Sequence, residues 1–418
     1  MKKSILAIAL CVLLLSGCAS FLNGEKQSVT KHPYVTAPPV SSSAADIHVQ
    51  DYSELMDAVM GLVNLHEDSG TLKIISYDGD IESDVMRVCS EARNSTPLGA
   101  YVLSDVEGKV TKIVSYFEIK FSFTYRRTKE QADNIITAPS LRYFQSQLLY
   151  ELSTFSENSA ILTSFGGDLT GPVVQQYIKD LYYENPLQIL MLPITTVNFY
   201  PNTGDERIVE LTFDLAGDAG TMTVRKANLL SAVNNIADVI RSTVGGRSDG
   251  ETLLALCQRL MDCCVYERSA VSDVSTQNFA ATAYGALVNG SAIGEGYAMA
   301  YKALCDALDL ECYVVLGTLD GKPHAWNIVQ LGGYYYHVDV AMCDENGVDT
   351  AFLKSDEEMS AASYEWDRQT AKPCNGPETY EDLVSQQPSA PPTDQGGEPA
   401  GESPVAQDVA PTDGKTTD

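Results

Sequence analysis

The sequence runs to 418 residues with 44% hydrophobic content, enough for more than one buried core. Its formal charge of −28, from 28 basic against 56 acidic residues, excludes a basic groove for nucleic acid and favours a soluble surface that avoids other polyanions. A local basic cluster, Arg126-Arg127 with Lys129, reads as a solvated turn.

At the N-terminus Lys2-Lys3 precede an apolar run from Ile5 to Leu15, then Leu15-Ser16-Gly17-Cys18, which resembles a bacterial lipobox. The run falls short of the about 20 apolar residues of a spanning helix, so residues 1–17 read as a lipoprotein signal peptide. The lipobox implies that Cys18 is lipidated through sulfur and begins an extracytoplasmic chain held at the cell membrane. Two or more acyl chains anchor stably where one is marginal. Residues 18–45, rich in Ser, Pro and Ala, form a flexible spacer after that anchor.

Residues 46–223 read as an α+β region with signs of internal duplication, in units of about 46–130 and 140–223. Residues 71–81 resemble residues 159–169 at an offset of 88, with Ser76-Tyr77-Asp78-Gly79-Asp80 against Ser164-Phe165-Gly166-Gly167-Asp168. Each apolar run follows a helical one (Tyr52 to Leu65; Leu141 to Phe155) and precedes another (Ile81 to Arg93; Val173 to Tyr183). Alternating strands close each unit, Thr111 to Tyr125 and Arg207 to Leu215. Chance similarity of two strand–turn segments competes with the duplication. The tyrosines at 182–183 and 334–336 could line a groove for an extended ligand, although such residues more often pack a core or its edge.

Helices from Val224 to Ser242 and Gly250 to Tyr266 open a second domain, residues 224–376. Gly290 to Gly294 form a loop into an Ala-rich amphipathic helix beginning near residue 295. No Gly-Lys-Ser/Thr or strand-linked GxGxxG fingerprint accompanies these glycines, so they read as loop residues, not a phosphate cradle. Residues 324–331 and 334–340, rich in Ile, Val, Trp and Tyr, flank Gly332-Gly333, a two-residue hairpin signal. A tight turn there pairs Trp326 with Asp339 and His324 with Ala341, which makes His324 and Asp339 diagonal neighbours on one face, about 7–8 Å apart at Cα. A carboxylate so placed can fix the tautomer and orientation of an imidazole. Taken alone, such a pair is more often structural than catalytic.

The blocks Gly294-Glu-Gly-Tyr297-Ala, Pro323-His324-Ala-Trp326-Asn327 and Tyr335-Tyr-His-Val-Asp339 together resemble the bacterial transglutaminase-like superfamily of papain-like cysteine hydrolases, whose blocks run G-x-C-x-G-Y-A, H-A-W-N and W/Y-Y-x-V-D. The run Phe352 to Met359, with Trp366-Asp367 and Pro373-Cys374-Asn375, resembles extracytoplasmic Gram-positive members. The likeness implies an α+β domain with helices packed on an antiparallel sheet. It also implies a site built of His324, Asp339 and a cysteine, with Glu295, Tyr297, Trp326 and Asn327 as pocket residues. Gly294 stands where that nucleophilic cysteine belongs. Ala341-Met342 and Met261-Asp262 also depart from the Thr-Trp and His-Asp pairs common in the family.

A helix N-terminus lowers a thiol's pKa and offers backbone donors to an oxyanion, which is where the family's cysteine is activated. Glycine supplies no nucleophile. Cys305, eleven residues on, falls on the same helix face but about 16 Å along the axis, beyond the reach of a base at the other end. Ser291 lies in the upstream loop without a strained-elbow motif. Setting aside Cys11 and Cys18 leaves eight cysteines, an even number for which disulfides are permitted in an exported chain but connectivity cannot be deduced. Cys263-Cys264 are adjacent and no CxxC pair occurs, so no metal and no cofactor are expected.

Residues 377–418, acidic and rich in Pro, Gly and Gln, should be disordered. The favoured function is binding of a peptide or peptidoglycan-linked segment in a cleft that has lost its chemistry. Two alternatives stay open: an active enzyme of the same class with an unrecognised nucleophile, and a structural envelope protein acting through its N-terminal repeats.

Overall fold

The computed structural model describes residues 49–268 and 278–385; the expected signal peptide, the spacer with Cys18 and residues 386–418 lie outside them. Asp51 and Asp80 cap the first two helices, α1 (Tyr52–Leu65) and α2 (Ile81–Asn94), by accepting from backbone N–H groups of the first turn. Between them runs β1 (Ser69–Ile74), and after them α3 (Pro97–Val102), β2 (Leu103–Ile113) and β3 (Tyr116–Tyr125). Leu55, Val59 and Leu62 of α1 and Val85, Val88 and Ala92 of α2 recur at helical spacing and are buried against Leu72, Ile119 and Phe121 of the sheet.

The chain then repeats this order. After α4 (Lys129–Asp133) and β4 (Ile136–Ala138) come α5 (Leu141–Ser153), β5 (Asn158–Thr163), α6 (Gly171–Glu184), β6 (Ile194–Tyr200) and β7 (Arg207–Asp214). The sheets order as β1-β3-β2 and β4-β5-β7-β6. In each, the strand between two helices pairs antiparallel with the last strand, which pairs antiparallel with the strand before it. Leu72 faces Ile119 in the first sheet, and Ala160 faces Glu210 in the second.

The second sheet is covered on both faces. Ala160, Leu162 and Ile208 join the core of the first unit, while Ile161, Val209, Leu211 and Phe213 join a larger core that continues to Leu383. That double burial explains why β5 reads as a continuous apolar run instead of an alternation. It also means that the boundary drawn at residues 223/224 is no break in packing. Arg127 is not the solvated turn residue expected from its neighbours: its guanidinium donates to Glu210 at 3.1 and 2.6 Å and lies over the Tyr101 ring, tying the two units together.

Helices α7 (Ala219–Val244) and α8 (Asp249–Cys263) follow. Cys264 turns extended and leads into β8 (Val265–Tyr266), which pairs parallel with β9 (Ser291–Ala292). That bridge delivers the chain to α9 (Gly294–Asp306), the central helix, whose ten buried residues are mostly Ala, Tyr and Gly. Small side chains let the sheet approach it closely. The sheet is antiparallel in the order β13-β12-β11-β10-β14, from β10 (Cys312–Leu319), β11 (Lys322–Leu331), β12 (Tyr334–Val338), β13 (Phe352–Lys354) and β14 (Tyr364–Trp366). Interspersed are α10 (Val340–Asn346), α11 (Asp356–Ala361) and α12 (Tyr380–Ser385). The fold class is α+β with antiparallel sheets, as the sequence implied.

Gly332 and Gly333 take φ of 60° and 86°, both in the left-handed region that a two-residue hairpin of type I′ requires. The ladder runs from Leu331–Tyr334 to Asn327–Val338, the expected register. It stops there, however: Asp339 leaves the strand to cap α10, so Ala341 sits in that helix and not opposite His324. Order also extends past residue 377, where disorder was expected to begin. Leu383 of α12 is buried beside Gly250 and Leu331, and Thr379 and Asp382 cap each other's backbone. Among the described residues no helix is long and apolar enough to cross a membrane.

Candidate active site

Asp339 is the fixed point of the site. It is 1% exposed, and its Oδ1 accepts from the backbone N–H of Met342 at 3.2 Å as the cap of α10. Its Oδ2 takes His324 Nε2 at 2.6 Å and the Tyr364 hydroxyl at 2.7 Å. A carboxylate only accepts, so in this arrangement Tyr364 donates and His324 carries its proton on Nε2. Burial, then the neighbouring Asp339 charge, pushes the Tyr364 phenol far above its ordinary value, which keeps it a donor. The pairing predicted from hairpin register is therefore present, and Tyr364 completes it. Sequence reading missed Tyr364 because β14 joins the sheet beside β10, from the far side, and no periodicity announces a three-residue edge strand.

With Nε2 held, the other ring nitrogen turns towards α9. An ideal Cβ on Gly294 would lie 2.6 Å from Cε1 and 2.7 Å from Nδ1 of His324. Position 294 is thus where a nucleophile would meet this base, at the first turn of a thirteen-residue helix whose cap residue, Ile293, contributes no side-chain hydrogen bond. The approach to it is shaped by a π-helical turn, Gly285–Asn289, ended by Gly290 at φ 72°. Gly296 has to be glycine for a different reason: a Cβ there would stand 2.2 Å from the Ala280 carbonyl oxygen.

Glu295, next along α9, accepts from the Tyr183 hydroxyl at 2.7 Å. Burial raises its carboxyl above the ordinary range, opposed by that bond and by the Lys179 charge. Tyr183 comes from α6 of the second unit, so the N-terminal region contributes to the wall of the site. The aromatic pair 182–183 divides its roles, since Tyr182 is buried and directs its hydroxyl to the Ala281 carbonyl at 3.4 Å.

The other expected pocket residues are placed differently. Tyr297 is 1% exposed and donates to Asp344 at 2.7 Å; Asn327 is fully buried and donates to the carbonyls of Ala298 and Tyr313 at 3.0 and 3.3 Å. Trp326 is 1% exposed and stacks at 6.2 Å from His324 while its Nε1 donates to His337 Nδ1 at 2.9 Å. These three brace the site from behind and offer no surface to a ligand. Their spacing in the hairpin and on α9 put them in the right neighbourhood; the depth of β11 buries Trp326 and Asn327, and the central place of α9 buries Tyr297.

Of the described cysteines all are buried except Cys263, which is half-buried. Cys305 is fully buried in contact with Cys312, and burial pushes its thiol well above the ordinary value. Burial likewise raises Cys264 to about 11 and Cys374 to about 12. All eight described cysteines are free thiols. Ser291 donates to Glu267 at 3.2 Å in β9.

His337, Asp356 and Cys374 form a second polar cluster whose ligand atoms lie within 4.8 Å of one another. The donor set argues against a metal. Trp326 Nε1 can only donate, so His337 Nδ1 must accept, and the ring proton sits on Nε2, which meets Asp356 Oδ1 at 2.9 Å. A neutral imidazole binding a cation through Nε2 would need its proton on Nδ1, facing the indole N–H. The cluster is a buttress that holds Trp326 behind His324.

No family profile and no curated protein matches the sequence. Among solved structures the chain is similar to a crystal structure of a TGase, with TM-score 0.24 and 14% identity over 49% of this chain and 58% of that one. It is also similar to a chain named provisionally as a cysteine protease from Cytophaga hutchinsonii, with TM-score 0.22 and 13% identity over 36% of this chain and 62% of that one. A third is named provisionally as a protease from Parabacteroides distasonis, with TM-score 0.19 and 8% identity over 65% and 43%. The chain spans less than two thirds of each of these structures. Likeness at this level fixes neither activity nor substrate.

Proposed function

We propose that the chain is an extracytoplasmic, membrane-anchored lipoprotein whose transglutaminase-like site binds peptide or cell-wall-linked segments without cleaving or crosslinking them. One observation carries this reading: His324 and Asp339 keep the relation of base and orienter, while the position their chemistry would act on is Gly294. Retention of the helix end and the oriented imidazole leaves recognition possible after loss of the covalent step. Anchoring rests on the motif ending at Cys18. Descent of the two N-terminal units from one ancestor is supported by their shared strand order.

The test is binding of purified wall peptides and a synthetic peptide library to the full chain and to His324→Ala. Saturable binding by the native chain, weakened in the variant and unaccompanied by peptide cleavage or amide transfer, is expected. Turnover that disappears in His324→Ala would replace this reading with an active enzyme. Absence of binding to any member would remove it.

A further inference from the structure

The His324 side chain is 9% exposed, and only one of its two nitrogens has a partner. Nε2 is engaged by Asp339, while Nδ1 points at the Gly294 end of α9. There the ladder begins with Tyr297 N–H donating to the Ile293 carbonyl at 3.1 Å, so the N–H groups of Gly294, Glu295 and Gly296 have no acceptor inside the helix. In the imidazolium form both ring nitrogens donate, and the second N–H joins these backbone donors around a position vacated by a side chain. A helix N-terminus favours negative charge, and an imidazolium N–H beside it adds one more donor to the same position.

We propose that His324 Nδ1 and the N-terminal turn of α9 together hold a carboxylate, specifically the C-terminal carboxylate of a peptide; this rests on the peptide-binding reading of the same site. The position explains the preference. A nucleophile at 294 would meet the carbonyl carbon of a bound main chain, so a chain that ends there presents its carboxylate at that point. An amide can use the backbone donors through its carbonyl, but it meets a neutral Nδ1 with its own N–H. The two ligands therefore differ in the bond they make at Nδ1, which donates to the carboxylate and accepts from the amide.

The groups facing this imidazole are few. Asp339 contacts Nε2, Tyr364 donates to Asp339, and Asp320 acts on Tyr364 from the β10–β11 turn. Trp326 stacks on the ring without charge, and Glu295 is occupied by Tyr183. The Asp339 charge suits the imidazolium.

The probes are N-acetyl-Ala-Ala as the free acid, the same dipeptide as its amide, and N-acetyl-Glu-Ala amide, which carries its carboxylate on a side chain. Binding is read from the Hε1 resonance of His324 in the full chain, assigned by its loss in His324→Gln; five histidines keep the spectrum simple. The free acid should bind about tenfold more tightly than the amide, as a charge-assisted hydrogen bond allows. Gly294→Ala, with its fold checked by circular dichroism, should weaken the acid selectively. Equal acid and amide affinities, with the His324 signal moving for both, would overturn the carboxylate while leaving peptide binding intact. Equal affinity for the side-chain carboxylate would overturn the C-terminal assignment. Failure of every peptide to move the signal would remove both.

Discussion

His324 stands against Gly294 so closely that a Cβ on the glycine would be 2.7 Å from its Nδ1. The contact is with the end of a side chain held by one hydrogen bond, so the ring can shift when a side chain is introduced. Gly294→Cys should therefore fold, at a cost of about 1–3 kcal/mol for the overpacking. Its thiol would gain both a helix N-terminus and an adjacent imidazole, and should be alkylated by iodoacetamide near pH 6, where the described native thiols stay slow. Site-resolved mass spectrometry against pH, repeated in Gly294→Cys with His324→Ala, checks this. A labelling rate that rises only above pH 8 in both would show that the imidazole cannot act on position 294.

Asp339 joins three donors from three elements, His324, Tyr364 and the α10 backbone. Tyr364→Phe removes one bond and leaves the buried carboxylate with one donor fewer, a loss of about 1–2 kcal/mol. Asp339→Ala removes the cap of α10 as well, and about 2–4 kcal/mol is expected from the cap and two hydrogen bonds together. Urea unfolding of the three proteins separates the steps; equal stability of Tyr364→Phe and the native chain would contradict the role given to the phenol.

Much of this pair was legible in the sequence because a two-residue glycine-glycine turn fixes the hairpin register, and the register sets which residues meet. The central helix was legible for a similar reason, since an Ala-rich run after loop glycines has one period. What could not be read was depth. Tyr297, Trp326 and Asn327 lie on the right elements, but their burial is decided by layers packed from elsewhere, including α9 and the segment around β14. Tyr183 and Tyr364 reach the site from distant parts of the chain, through tertiary pairings that no local pattern encodes.

His337 should make stability sensitive to acid. Burial lowers its pKa below the ordinary 6.5, more than the bond to Asp356 raises it. The unfolded chain takes up a proton near that ordinary value and the folded chain resists, so the contribution is complete above about pH 6.5 and is lost as pH falls towards the folded value. Chemical denaturation at pH 7.5 and 5.5 should show a larger loss in the native chain than in His337→Gln. Because Trp326 fixes the tautomer, added zinc should leave the melting temperature unchanged; a zinc-dependent rise abolished in His337→Gln would contradict that tautomer.

Glu295 should behave in the opposite sense. Its folded pKa is raised, chiefly by burial, so the ionised form is less comfortable in the fold than in the unfolded chain. At pH well below the ordinary 4.5 both states are protonated and nothing is lost. As pH climbs through that value the unfolded chain releases its proton first, and stability declines until the folded carboxyl has ionised as well. Glu295→Gln keeps an oxygen for the Tyr183 hydroxyl and removes the titration. The variant should therefore match the native chain near pH 4 and exceed it at pH 7, whereas Tyr183→Phe, which takes away the bond that opposes the shift, should deepen the decline. Unfolding curves across pH 4 to 7 decide the sign, and a Gln variant less stable at pH 7 than at pH 4, relative to native, would mean that the charge itself supports the helix end.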